Sequence, residues 1–330
     1  MMKISLLLFI LSLPAFFLSG CISSSKQENS DSTQQDSAII SESSKSLILE
    51  GSTVRTRFEV PEDFERIAVT PGSFEEFLQT LPLKPINSPA RLYDGSVSTD
   101  SLYRTASVVS MSIDSLNLQH SHESIIRLRA EYLYKTKQFD KISFIIKNNI
   151  PLDFNRWLQG YRIEPKGKNL KFKKMENEKE MNYQNFRSYL NDVFKFTDAK
   201  SFKQNLRLIK DDDDNNEFGI GTIIMSGQAP YDAVIVVDMI KMTGNHPYSY
   251  MKALGVLLAY GNSPAQEMAI TRSIMDGLGI FPFNKGDNWT ENAGSIWNTT
   301  TKGERQIDKQ GGNIDIWKNY FTNKKLYKFI

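Results

Sequence analysis

The residues able to do chemistry fall in a few short stretches. His120-Ser121-His122-Glu123 puts two imidazoles and a carboxylate within four positions. That set could ligate a divalent metal if the segment were extended, with His120 and His122 on one side; otherwise these are exposed loop and cap residues. Asp211-Asp212-Asp213-Asp214-Asn215-Asn216-Glu217 offers the oxygen ligands calcium takes. No register of it places Gly at the sixth loop position and Glu at the twelfth, so it reads as a solvated turn. Lys166 to Lys174 is basic with one aromatic and could hold anionic glycan or lipid headgroups, but Glu176, Glu178 and Glu180 follow at once and favour a solvated hairpin. Trp157, Tyr161 and Arg162 cluster near a glycine, a grouping that builds either a sugar-stacking or carboxylate-binding wall or a piece of core. Asp238, Gln266 and Glu267 stand at the ends of predicted strands, where a cleft would open, and with Trp157 and Arg162 they are the candidate cleft residues. Gln266 and Glu267 fit equally well as satisfied surface groups.

Composition narrows what these residues can be asked to do. The 330 residues include 40 Lys+Arg and 38 Asp+Glu, with 40% hydrophobic and 11% aromatic residues, an ordinary globular mixture. A formal charge of +2 supplies no large positive field, so nucleic acid is not an expected partner. One Cys excludes an internal disulfide framework and any Cys-rich zinc or iron–sulfur site, and three His limit imidazole chemistry. No metal or cofactor is expected.

The single Cys has a use of its own. Lys3 precedes an apolar run from Ile4 to Phe17, too short for a comfortable bilayer span and suited to a secretory signal over residues 1–20. Ser19-Gly20-Cys21 resembles the bacterial lipobox, in which the Cys thiol receives diacylglycerol and becomes the new N-terminus. An ordinary signal peptide with a nearby Cys, or a buried helix, are the other readings, but residues 21–50 fit the first. Their Ser, Gln, Asp and Glu cannot bury enough apolar surface to offset chain entropy, so they form a tether with a reach on the order of 30 Å. Ile22 stands where an Asp would favour inner-membrane retention, so the expected address is the outer membrane of a bacterial envelope, through a lipid anchor rather than a spanning helix. At that address the Asn288 and Asn298 glycosylation sequons are chance matches.

The elements that must position these side chains lie in residues 51–330, read as one α+β domain with an irregular tail from about 281. Ser73-Phe74-Glu75-Glu76 has capping-box spacing before a short helix that Pro82 and Pro85 end. Ser121 opens a longer one, with Ile125, Leu128, Tyr132 and Leu133 at helical spacing. Tyr183 to Phe196 and Ser201 to Ile209 read as two more. Apolar runs bounded by breakers predict strands at Ala106 to Ile113, Ile142 to Ile146, Ile220 to Met225, Asp232 to Ile240 and Leu254 to Tyr260. Ala233-Val234-Ile235-Val236-Val237 does not alternate, which predicts a central strand covered on both faces. The fold class is therefore α+β, a largely antiparallel central sheet with flanking helices after a disordered N-terminal tether. The last ~50 residues have weak periodicity and are expected to wrap the surface.

Several stretches together resemble an uncharacterised bacterial lipoprotein family, domain of unknown function 4846. They are Gly72-Ser73-Phe74-Glu75-Glu76-Phe77-Leu78, Leu81 to Pro85, Leu92 to Ser96, Arg127-Leu128-Arg129-Ala130-Glu131-Tyr132-Leu133-Tyr134, Ala233 to Asp238 and Pro264 to Glu267. The resemblance spans about Phe64 to Glu267. It implies a Cys at the start of the helix carrying Arg127 to Tyr132, and a Gly-His pair leading into Ala233, an order similar to the cysteine peptidases of envelope hydrolases. Here Ser121 stands at the Cys position and Tyr231-Asp232 at the Gly-His position. A serine needs a stronger general base than an exposed Asp supplies, so no Cys-type acyl chemistry is expected, and Ser121 reads as a helix N-cap.

Three functions compete on these grounds. One is a lipid-anchored, non-catalytic envelope protein with a cleft for a peptide, glycan or protein partner. Another is an envelope hydrolase, a peptidoglycan or peptide amidase working through Ser121 or an acid pair. The third is a surface-exposed interaction lipoprotein with no cleft.

Overall fold

The structure, a computed structural model, describes residues 50–60, 64–99, 105–209, 218–226, 232–243, 254–276, 279–282 and 325–330. The predicted leader with Cys21, the predicted tether through residue 49, the acidic run 211–217, Tyr231, both sequons and residues 283–324 lie outside these. Among the described residues no helix is long and apolar enough to cross a membrane.

The first half of the chain supplies most of the helices. Helix α1 (Val54–Arg57) leads to strand β1 (Phe64–Arg66) and helix α2 (Phe74–Gln79), then strand β2 (Ser107–Val108) and helix α3 (Ser121–Lys135). The hairpin of β3 (Ser143–Ile146) and β4 (Ile150–Asp153) follows, then α4 (Phe154–Leu158) and the hairpin of β5 (Tyr161–Lys166) and β6 (Asn169–Lys174). Helices α5 (Tyr183–Phe196) and α6 (Ala199–Lys203) precede β7 (Leu206–Leu208), β8 (Ile223–Met225), β9 (Ala233–Met242), β10 (Leu254–Tyr260), β11 (Ala269–Asp276), β12 (Gly279–Pro282) and β13 (Lys325–Phe329).

Nine strands form one antiparallel sheet in the order β12-β11-β10-β9-β8-β13-β7, with β1 also on β9 and β2 also on β11. The α+β class and the antiparallel sheet are as the sequence predicts. Strand β9 is the centre. It pairs with β10 along one side, while β8 takes Ala233 to Ile235 and β1 takes Ile240 to Met242 on the other. Every residue from Ala233 to Ile240 is buried, which is why its pattern does not alternate. Val236 faces Leu258 and Asp238 faces Leu257, leaving Val237 as the extra residue of a bulge.

Helices α2 and α3 both pack on β9. Ser73 caps α2 by accepting from Glu76 N at 3.2 Å, but the Glu76 carboxylate reaches back to Gly72 N rather than to the cap itself. Helix α5 buries Phe186, Tyr189, Leu190, Val193 and Phe194, one stripe at 3.6-residue spacing. Lys166 to Lys174 turns through Gly167 at φ +60° as an antiparallel hairpin.

Three expectations change. The helix predicted over Ser201 to Ile209 stops at Lys203, and Leu206–Leu208 is strand β7. Asn205 causes the switch: its Nδ2 caps Ser201 O at 2.9 Å while its Oδ1 accepts from Ile145 N at 2.7 Å, after which β7 pairs with β13. The strand predicted over Ala106 to Ile113 shrinks to Ser107–Val108, with Val109 bridging Leu83. Of the tail expected to wrap the surface, residues 325–330 are described beyond 282, and these join the sheet instead. Strand β13 is inserted between β8 and β7, and its Tyr327 is buried.

Candidate functional site

Helix α3 begins at Ser121, with His120 in the cap position and no side-chain cap bond, so Ser121 is the first helical residue rather than the cap. Its side chain points at the start of β9. The Ser121 hydroxyl donates to Ala233 O at 3.1 Å and accepts from Ala233 N at 2.8 Å, and the residue is 4% exposed. The fold thus brings Ser121 against the main chain of Ala233, the residue that follows Asp232. It does so with the hydroxyl already committed: its one proton sits on a carbonyl and the main chain donates to its oxygen. Asp232 anchors the same corner through its carbonyl, which accepts from Ser226 N at 2.9 Å.

The rest of the corner is carboxylate and imidazole. Glu123 is 6% exposed, and burial pushes its carboxyl up to about 7, against the opposing pull of backbone N–H groups and Lys147. His120 Nδ1 lies 4.0 Å from Glu123 Oε2, while its Nε2 meets Asn117 Oδ1 at 3.0 Å; burial pulls the imidazole pKa down. His122 instead packs against Phe202, ring centroids 5.0 Å apart and tilted by 50°. Among the described residues no group of three or more His, Cys, Asp or Glu is placed to hold a metal. Gly261, just past β10, lies so close that a Cβ there would overlap Ser124 Oγ and come within 2.7 Å of His120 O.

The five residues predicted to line a cleft fall in three clusters with separate partners. Trp157 is 2% exposed, donates from Nε1 to Asp192 Oδ2 at 2.7 Å, and lies under the Arg162 guanidinium at 3.8 Å. Arg162 also donates to Trp157 O at 2.6 Å and to Glu176 Oε2 at 2.8 Å, so the pair packs the α4–α5 layer. Asp238 is fully buried within β9. It accepts from Arg66 Nε at 2.8 Å and Gln79 Nε2 at 2.7 Å, tying β1 and α2 to the central strand, while burial pushes its carboxyl up. Gln266 accepts from Ser98 Oγ at 2.7 Å, and Glu267 holds Lys84 Nζ at 2.5 Å and Arg91 N at 3.0 Å, so this pair pins the 84–98 segment to the sheet.

A cleft does open elsewhere. A pocket of about 360 Å³ lies between the start of α2, the middle of α3 and strand β13. The Arg129 guanidinium sits in it among three rings, 5.1 Å from Phe74, 5.5 Å from Tyr132 and 5.6 Å from Phe329. Lys141 and Lys328 line the same pocket, with Glu75 as its one carboxylate. Among the described residues Arg129 has no hydrogen bond and no carboxylate within 4.0 Å. Sequence reasoning missed this site. Phe74 and Arg129 both lie in stretches that carry the family resemblance, but 55 positions separate them, and Phe329 lies in the tail whose periodicity is weak.

Comparison with curated proteins and with solved structures finds no match. Residues 54–285 match the family described as Domain of unknown function (4846). That span takes in α1 to α6 and β1 to β12, including the Ser121 corner and most of the Arg129 pocket, so by the larger part of its length the chain belongs to the domain of unknown function 4846 family.

Proposed function

We propose that this protein is a lipid-anchored bacterial envelope lipoprotein, held at Cys21 in the outer membrane, which binds a ligand and does not turn one over. One observation carries the non-catalytic half: the Ser121 hydroxyl, at the position of the family's expected nucleophile, is consumed by both polar groups of Ala233. A nucleophile must present its oxygen to substrate and give its proton to a base, and a hydroxyl bonded to the main chain on both counts does neither. The open cleft at Arg129 supports the binding half, with a peptide, glycan or protein partner as the class of ligand. The anchor rests on the sequence of residues 3–21.

The test is fractionation of cells making the full chain or Cys21→Ala, with purified protein assayed on peptidoglycan and envelope peptides. The protein is expected in the outer membrane fraction, Cys21→Ala in the soluble one, and both without hydrolase activity. Retention of Cys21→Ala in the membrane sinks the anchor, and turnover lost in Ser121→Ala sinks the non-catalytic reading. A second reading, an envelope hydrolase, is favoured by Glu123 alone, a buried carboxyl poised near neutrality beside an imidazole. Turnover lost in Glu123→Gln but kept in Ser121→Ala would establish it.

A further inference from the structure

The geometry points to the Arg129 pocket as a binding site for a phosphate group, carried by a soluble phosphomonoester or by a lipid headgroup. This rests on the reading of that pocket as the binding cleft and names the chemistry it recognises. An arginine packed among rings keeps its N–H groups for an oxyanion, and here three ring centroids lie 5.1–5.6 Å from the Arg129 guanidinium carbon while no protein acceptor is bonded to it. The rings also hold the guanidinium in place, so that little side-chain freedom remains to be lost on binding.

Charge and direction select phosphate over carboxylate. Arg129, Lys141 and Lys328 against Glu75 leave an excess of two positive charges. A phosphomonoester carries roughly −1.5 to −2 at neutral pH and matches it, whereas a single carboxylate leaves one charge over. The three cations line the pocket from separate elements, α3, the turn before β3, and β13, rather than from one. A tetrahedral group presents oxygens in three dimensions and a planar carboxylate does not. Lys141 Nζ spends one donor on Gln138 Oε1 at 2.9 Å and keeps two. Glu75 stays clear of ion-pair distance from Arg129, which leaves the guanidinium edge open. The wall at Gly221 is bare backbone at φ +84°, a conformation that suits glycine. At about 360 Å³ the pocket has room for a small organic phosphate or one headgroup.

The full chain in detergent is titrated calorimetrically with inorganic phosphate, glucose 1-phosphate, acetate, succinate and glucose, and separately with phosphatidic acid vesicles against phosphatidylcholine vesicles. Glucose 1-phosphate is expected to bind at least roughly tenfold more tightly than acetate, and Arg129→Gln to weaken it by about tenfold or more. Lys141→Ala and Lys328→Ala, at the more accessible cations, are each expected to weaken it several-fold with the melting temperature unchanged, which keeps the test valid if Arg129→Gln unfolds. Tighter binding of phosphatidic acid than of the soluble phosphates assigns the group to a lipid; the reverse assigns it to a soluble ligand. Absence of phosphate binding at millimolar concentration, or binding indifferent to both lysine variants, overturns the inference. Succinate binding that Arg129→Gln abolishes, without phosphate binding, overturns the phosphate assignment while leaving the pocket a binding site.

Discussion

At Ser121 and Glu123 two neighbouring side chains of one helix meet opposite fates, and burial explains both. A buried hydroxyl lowers its free energy by pairing, and the first main-chain groups of β9 are within reach, so Ser121 becomes a fastener. A buried carboxyl loses the hydration that favours its charge and holds its proton instead, and Glu123 is pushed up to about 7 from an ordinary 4.5. Between those two values the folded protein keeps a proton that the unfolded chain has released. Glu123 therefore makes stability fall as pH rises from about 4.5 to about 7, with no further change above. Asp238, raised in the same direction, adds a slope of the same sign, and His120, lowered, opposes it just below 6.5. Glu123→Gln removes only its own contribution. Denaturant unfolding is expected to show the variant gaining up to about 3 kcal/mol over the parent at pH 8 and little at pH 4. A constant difference across that range would mean that Glu123 is ionised in the fold.

The junction of α3 with the sheet is the element-scale device that places this corner. Helix α3 is buried on most of its sides, so its first turn must fit closely between β9 and the end of β10. Gly261 makes the fit, because any side chain there would strike Ser124 and the His120 carbonyl. Gly261→Ala must push β10 away from α3, at a cost of about 1–3 kcal/mol. In a chain of this size that corresponds to a fall in melting temperature of roughly 2–4 °C per kcal/mol. Gly219→Ala, where a Cβ meets nothing within 4 Å, is the control and is expected to leave the melting temperature within a degree or two. Equal effects of the two substitutions would show that the close approach is not what Gly261 provides. The α6–β7 boundary makes the same point about context: Leu206 to Leu208 could have continued the helix, but Asn205 ends it and β13 offers a ladder.

For the whole molecule the decisive strand is the last one. Strand β13 pairs Tyr327 to Phe329 with β7 and Lys325 to Tyr327 with β8, and it supplies Phe329 and Lys328 to the Arg129 pocket. Among the described residues β7 has no other strand neighbour. Ending the chain at Lys324 would leave two strand edges unpaired and one ring missing from the Arg129 cage. Loss of the cooperative thermal transition, or aggregation in size-exclusion chromatography, is expected. Survival of the parent melting temperature would instead mean that the tail only covers the surface.

Much of the architecture was legible in the residues. Local physics sufficed for the α+β class, the Ser73 cap of α2, the apolar spacing of α3, the span of α5 and the non-alternating strand β9, because periodicity and capping are read within a few positions. Sequence also carries the whole case for a leader and lipid anchor at Cys21, since that signal is recognised by composition and not by a fold. Only the tertiary structure decided what the chemical residues touch. Asp238, Gln266, Glu267, Trp157 and Arg162 are polar or amphipathic at positions where a cleft was expected, yet partners up to 183 positions away occupy them. Arg129, one cation among 40, becomes distinctive only when Phe74 and Phe329 arrive from either end of the domain and no acceptor arrives with them. Pairing across such separations follows from how the sheet closes, and no local pattern encodes it.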